Sequence, residues 1–183
     1  MKSVSSLLIL ITFIFSSFTV LPSKDTTTQE PAFKNAFYTD WETNLKWNES
    51  TSGTGKVFSI HKQLPQLDAN ILSKGYVLAF IKGYNFSKMP MAEKPLSLPF
   101  EFFLPEVDAT QSISWQVEKA EGNVQVALQI QQNFSDQFQQ FGKNIQVRYF
   151  ILTPLFLQQH KLTQAQVHQI SYTKLVSLLQ LEP

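Results

Sequence analysis

Three histidines, fourteen acidic residues and no cysteine are the raw material for chemistry in this chain of 183 residues. Without a thiol there is no thiolate nucleophile, no cysteine-ligated metal and no disulfide. His61 ends a strand-like run, and His160 and His168 stand in a polar segment near the C-terminus. None belongs to an H-E-x-x-H pair or to another tight histidine–carboxylate spacing of the kind a metal site uses. No G-x-S-x-G elbow presents a serine. With only six glycines, no glycine-rich loop cradles a phosphate. Glu101 and Glu118 would make a glycosidase pair if facing strands held them about 5–9 Å apart. Each is more simply a solvent-facing residue of a half-wet sheet. The sequence therefore predicts no catalytic residue, no metal ligand and no cofactor.

Binding chemistry has more to work with, because the chain carries sixteen Phe, five Tyr and three Trp. Trp41, Trp47 and Tyr84, with Tyr38, are candidate ligand-binding residues that would stack on a sugar ring or line a peptide groove. A glutamine-rich face on Val124–Gln131 would add amide hydrogen bonds to a glycan. The competing reading is that these aromatics fill the core of a domain without disulfides. Nucleic acid is an unsuitable partner, since aromatics serve it only when interleaved with positive charge. The chain has 15 Lys+Arg against 14 Asp+Glu, and no basic field results.

The first residues carry a different signal. Lys2 is the only charge among residues 1–23, Leu7–Phe15 is wholly apolar or hydroxylic, and Ser16, Ser17 and Thr19 follow. This is the pattern of a secretory signal peptide, too short in its apolar part for a span of about 20 residues. Residues 24–39 begin as a polar, threonine-rich stretch expected to be flexible, and residues 40–183 are expected to form one domain. At this length a domain buries about two-thirds of its unfolded surface, enough to stand on its core alone.

Within that domain, side-chain period decides the elements. Asp40–Trp47 and Lys56–His61 read as strands, with Asn48–Gly55 as a polar turn or long hairpin loop. Leu67, Ile71 and Leu72 suit a helical turn capped by Asp68, with Gly75 as the left-handed residue that ends it. Tyr76–Ile81 is apolar on both faces, as a central strand is. Leu96–Leu104 reads as a strand that Pro99 confines to an edge or a bulge. Ser112–Lys119 and Val124–Gln131 alternate as an antiparallel hairpin with one wet face. Asn133–Asn144 is a short helix or a long loop, and Ile145–Thr153 is a strong strand stopped by Pro154. Tyr172–Leu181 reads as a C-terminal helix or a last strand. The fold expected is all-β: a two-layer antiparallel β-sandwich of about seven strands with a short C-terminal helix, or else a partly open barrel. The triplets at Asn48, Asn85 and Asn133 match the N-glycosylation pattern and fall in expected loops, which matters only outside ordinary bacteria.

An early tryptophan strand, then Leu64–Lys82 (LPQLDANILSKGYVLAFIK), then Leu98–Phe102 (LPFEF) and finally Val147–Pro154 (VRYFILTP) follow one another over residues 40–180. In this order and spacing the chain resembles small exported β-sandwich proteins of Bacteroidetes, many of them lipoproteins. The resemblance implies a β-sandwich at the cell envelope and brings no catalytic or binding residues with it. The cysteine that would carry a lipid is missing here, so the resemblance favours a secreted or periplasmic protein. The function expected is a non-catalytic exported domain at the bacterial cell envelope. The alternative is a module binding glycans or surface polymers, and an envelope protein is a further possible partner. No insertion into the membrane is expected after signal removal. Secretion by a bacterial host should shorten the chain, and intact-mass measurement of the exported protein should place its first residue between Thr19 and Lys24. A product that retains Met1 would contradict the signal-peptide reading.

Overall fold

The computed structural model describes residues 35–53, 55–83, 93–103, 112–130 and 142–182. The chain divides into two units, Met1–Ala32 and Phe33–Pro183, and every described residue lies in the second. The expected signal peptide, the start of the expected flexible segment, Tyr84 and the triplets at Asn85 and Asn133 fall outside the described residues.

The described strands are β1 (Ala36–Tyr38), β2 (Asn48–Ser52), β3 (Gly55–Gln63), β4 (Tyr76–Lys82), β5 (Leu96–Ser97), β6 (Phe100–Phe103), β7 (Ser112–Ala120), β8 (Asn123–Ile130) and β9 (Gln146–Leu152). The described α-helices are α1 (Ala69–Lys74), α2 (Pro154–Gln159), α3 (Gln164–His168) and α4 (Tyr172–Leu178). One antiparallel sheet has the order β1-β9-β4-β5 and the other β2-β3-β8-β7-β6. The expected hairpin is present as β7 and β8, in register from Ile113 opposite Ile130 to Ala120 opposite Asn123.

The β4–β9 pair sets the layering. It runs from Tyr76 opposite Leu152 to Lys82 opposite Gln146, and both of its faces are apolar. Val77, Ala79, Ile81, Val147, Tyr149 and Ile151 pack against Phe58, Ile60, Trp115 and the inward residues of β8. Leu78, Phe80, Phe150 and Leu152 turn the other way and meet Phe156, Val167, Tyr172, Leu175 and Val176 of the C-terminal helices. The molecule therefore has three layers: sheet, sheet and helices.

This overturns the expected all-β, two-layer sandwich of about seven strands with one short C-terminal helix. The described residues hold nine strands and four helices, one of them internal between β3 and β4, and the two sheets do not close into a barrel. The physical reason is the second apolar face of the β4–β9 pair, which must be covered from outside. Residues 153–181 cover it with three short helices rather than one. Each opens on a hydroxyl cap: Thr153 ahead of Pro154, Thr163 in a capping box with Gln166, and Ser171 at Lys174. Helices this short do not persist alone, so their packing on the sheet sustains them.

Three local readings also change. The first strand is Ala36–Tyr38, while the backbone of residues 40–47 pairs with the sheet only through a bridge from Glu42 to Val147. Asn48–Ser52 is a fully exposed edge strand rather than a loop. Leu96–Leu104 is split at Pro99: β5 pairs with β4 in the first sheet and β6 with β7 in the second. Pro99 lacks an N–H to continue a ladder, and both halves are sheet edges, as its presence suggested. No helix among the described residues is long and apolar enough to cross a membrane.

The helical lead-in to β4 forms as expected, with Asp68 Oδ1 accepting from the Ile71 N–H at 2.7 Å. Gly75 ends it for a different reason from the one expected. Its backbone is extended, at φ −91° and ψ −159°, so no left-handed turn is involved. A Cβ there would stand 2.6 Å from the Leu152 carbonyl oxygen and 3.0 Å from that of Ile71. The glycine is needed because the joint between α1 and β4 runs against backbone. Gly75→Ala should cost about 2–3 kcal/mol of unfolding free energy, as overpacking against unyielding atoms does. Urea denaturation would measure it, with the exposed Lys74→Ala, within about 0.5 kcal/mol of the parent, as control.

Candidate functional site

The structure separates the aromatic residues that the sequence put forward. Trp41 lies half-buried on the helical side of the first sheet, 5.4 Å from the Tyr172 ring, with Lys82 Nζ 4.4 Å from its own ring centre. Trp47 belongs to the core between the sheets, edge-on to Trp115 at 6.0 Å, and donates from Nε1 to the Gly142 carbonyl at 3.4 Å. The two indoles serve different layers and do not form one stacking platform. Tyr84 lies outside the described residues.

The candidate catalytic groups are likewise dispersed. Glu101 pairs across from Ser114, and Glu118 stands four residues further along β7. That is about 13 Å of strand, beyond the reach of a glycosidase pair. His168 Nδ1 shares a hydrogen bond with the Tyr76 hydroxyl at 3.0 Å, the His160 ring lies 4.4 Å from that of Phe156, and His61 is exposed on β3. Among the described residues no group of three or more metal-ligating side chains stands close enough to hold an ion.

A cleft of about 210 Å³ opens instead where β1 edges the first sheet. Phe37, Leu64, Pro65 and Ile151 form apolar wall, while Lys62 and Gln66 line it with polar groups. The local sequence explains its shape. β3 ends at Gln63, and Pro65 and Gln66 turn the chain toward α1. On the other side β1 contributes only three residues, and Phe37 remains 38% exposed.

Tyr149 lines this cleft from β9. Its backbone is firmly held: Thr39 N–H donates to its carbonyl at 3.0 Å, and its own N–H donates to Thr39 Oγ1 at 3.1 Å. Its side chain is 1% exposed, yet the hydroxyl has no hydrogen-bond partner. Buried hydroxyls are normally satisfied, and one that is not costs about 1–3 kcal/mol. Trp115 Nε1 and Asn123 Oδ1 are also unpartnered, but neither lines the cleft.

Burial pushes the Tyr149 pKa well above the ordinary tyrosine value, and the Glu42 carboxylate adds to the rise. Glu42 is itself paired with Lys62 at 2.5 Å. At neutral pH the cleft thus has a protonated phenol sealed behind its wall, beside a self-neutralised ion pair and apolar surface. It offers no phenolate nucleophile. Sequence alternation placed Tyr149 among inward residues, and the one signal of a site was a hydroxyl in an otherwise aliphatic row of Ile145, Val147 and Ile151.

Tyr149→Phe should leave stability unchanged or raise it by about 1 kcal/mol, because it removes an unsatisfied polar atom rather than a hydrogen bond. The raised pKa gives a second expectation. A tyrosine whose folded pKa exceeds its unfolded value of about 10 contributes stability that is complete below pH 10 and is lost as pH rises through the folded pKa. Urea midpoints taken from pH 8 upward should therefore fall more steeply for the parent than for Tyr149→Phe. The chain that carries this cleft matches no protein-family model, no curated protein and no solved structure.

Proposed function

We propose that this chain is an exported, non-catalytic binding domain of the bacterial cell envelope, whose cleft beside β1 takes one neutral sugar unit of a glycan or surface polymer. The observation that carries the reading is the Tyr149 hydroxyl, buried at the cleft without a partner. A ligand hydroxyl that parts the side chains sealing it would satisfy it. The volume of about 210 Å³ falls below the roughly 300–1,000 Å³ of pockets for drug-sized molecules, which suits one ring rather than a cofactor. Phe37 and Pro65 offer apolar surface to the C–H face of a ring, and Gln66 offers an amide to its hydroxyls. The Lys62–Glu42 pair cancels its own charge, which favours a neutral ligand. Export is supported by the signal-peptide pattern of residues 1–23 and by the resemblance to envelope proteins of Bacteroidetes.

A second reading, strand addition by an envelope partner, draws on β2, a sheet edge whose five residues are all exposed. An added strand gains affinity from main-chain hydrogen bonds. The polar sequence NESTS and the Glu49–Lys56 ion pair at 2.6 Å are features that protect edges against such pairing, so the sugar reading stands first.

A glycan array probed with the exported protein tests it. Neutral glycans should be retained, and Tyr149→Phe should bind the best of them about tenfold more weakly, the loss of one good hydrogen bond. Equal binding by the parent and by a folded Tyr149→Phe variant would remove the cleft from the account.

A further inference from the structure

Arg148 directly precedes Tyr149 in β9, and alternation sends its side chain to the helical face of the sheet. It is 7% exposed and the one buried charged residue among those described. Its hydrogen bonds go to neutral oxygens: Nε donates to the Thr39 carbonyl at 2.8 Å and Nη1 to the Tyr172 hydroxyl at 2.7 Å. The rings of Tyr38, Phe150 and Tyr172 stand 5.5, 5.2 and 6.0 Å from the guanidinium carbon. Among the described residues no carboxylate pairs with it, and Nη2 has no hydrogen-bond partner while not being sealed from solvent.

A second cation shares this face. Phe80 lies opposite Arg148 and Lys82 opposite Gln146, which makes Lys82 and Arg148 diagonal neighbours, about 7–8 Å apart at the backbone. Lys82 Nζ sits over the Trp41 ring, and Trp41 leans on Tyr172. Lys82 also pairs with no carboxylate among the described residues. The nearby acids do not compensate: Glu42 is tied to Lys62, and Asp40 forms no ion pair with either cation. Two like charges on one sheet face, one of them taken out of water, oppose folding unless an anion joins them. Cation–π contacts offset only part of that cost.

We propose that Arg148 and Lys82 form a binding site for a carboxylate-bearing ligand such as an acidic sugar, with the Trp41 indole as its wall. The carboxylate accepts from Nη2, the guanidinium nitrogen left without a partner, and the Lys82 ammonium pairs with the same group. The ligand ring rests on the half-buried indole. This site lies on the opposite face of the sheet from the Tyr149 cleft and uses different chemistry, so each stands or falls alone.

The test is a titration of the ¹⁵N-labelled exported protein with sodium glucuronate, glucose and inorganic phosphate in turn. Glucuronate should move the Trp41 indole and Arg148 Nε–H signals saturably and leave the Trp47 indole in place. The apparent Kd should lie in the millimolar range and weaken as salt is raised and exposed charge is screened. Lys82→Met, at a half-exposed position, should weaken binding about fivefold, and Arg148→Lys should weaken it further, since one ammonium cannot keep the Thr39 and Tyr172 bonds and also reach the ligand as the guanidinium does. Glucose should not move these signals. Absence of a saturable shift up to about 50 mM glucuronate, far above that range, would overturn the site and leave Arg148 as a structural pin. So would a response unchanged in Lys82→Met, or one to phosphate equal to that to glucuronate.

Discussion

The structure depends on one constraint: the β4–β9 strand pair is apolar on both faces, and water must be kept from each. One face is covered by the second sheet and the other by the C-terminal helices. Each fully buried Val, Leu, Ile or Phe side chain contributes about 1.5–3 kcal/mol relative to exposure, and the pair supplies such residues to both cores. A chain without cysteine has no crosslink to lean on, so the doubly covered pair takes that part. The order of layers follows from it. The hairpin β7–β8 has one wet face and can lie only on the outside, while β4 and β9 can lie only in the middle.

The same constraint leads to the edge where the candidate sites lie. β9 needs a neighbour on its far side, and Ala36–Tyr38 provides it for only three residues. Successive β9 residues then present unlike chemistry at one short edge. Tyr149 turns inward to the cleft and Arg148 outward to the helical layer. Both are polar groups held in largely apolar surroundings: the Tyr149 hydroxyl has no hydrogen-bond partner, and Arg148 hydrogen-bonds neutral oxygens with no carboxylate to balance its charge among the described residues.

Much of the architecture was legible because it rests on period. The alternation in Ser112–Lys119 and Val124–Gln131 gave the hairpin, and the unbroken apolar run Tyr76–Ile81 gave a central strand. The capping of α1 by Asp68 could be read from spacing alone. What failed was whatever depends on partners rather than pattern. Ala36–Tyr38 is too short to show a period and is a strand only because β9 lies beside it. Leu96–Leu104 reads as one run, since alternation does not say which sheet a strand joins. The helical layer had signals in Thr153-Pro154 and in the Thr163–Gln166 capping box, and the apolar residues at 150 and 152 required a cover. The candidate site was less legible still. Trp41 and Trp47 are six residues apart, but the chain between them crosses the sheet edge and delivers them to different cores. An inward tyrosine and an outward arginine were both visible in β9, whereas the absence of their partners exists only in three dimensions.

Thr39 joins the two faces. Its N–H donates to the Tyr149 carbonyl, its Oγ1 accepts from the Tyr149 N–H and donates to the Asp40 carbonyl, and its own carbonyl accepts from Arg148 Nε. Every polar group of this one residue is used, and the bonds reach side chains or backbone belonging to both candidate sites. A residue so fully bonded has little freedom to shift in one direction without breaking a bond in the other. The cleft and the guanidinium are thus held in fixed relation by a short edge strand that would otherwise fray. Preorganisation of that kind lowers the ordering cost of binding. It explains how a three-residue strand can form the wall of a site: Arg148 fastens it to the helical layer from behind while β9 holds it from the side.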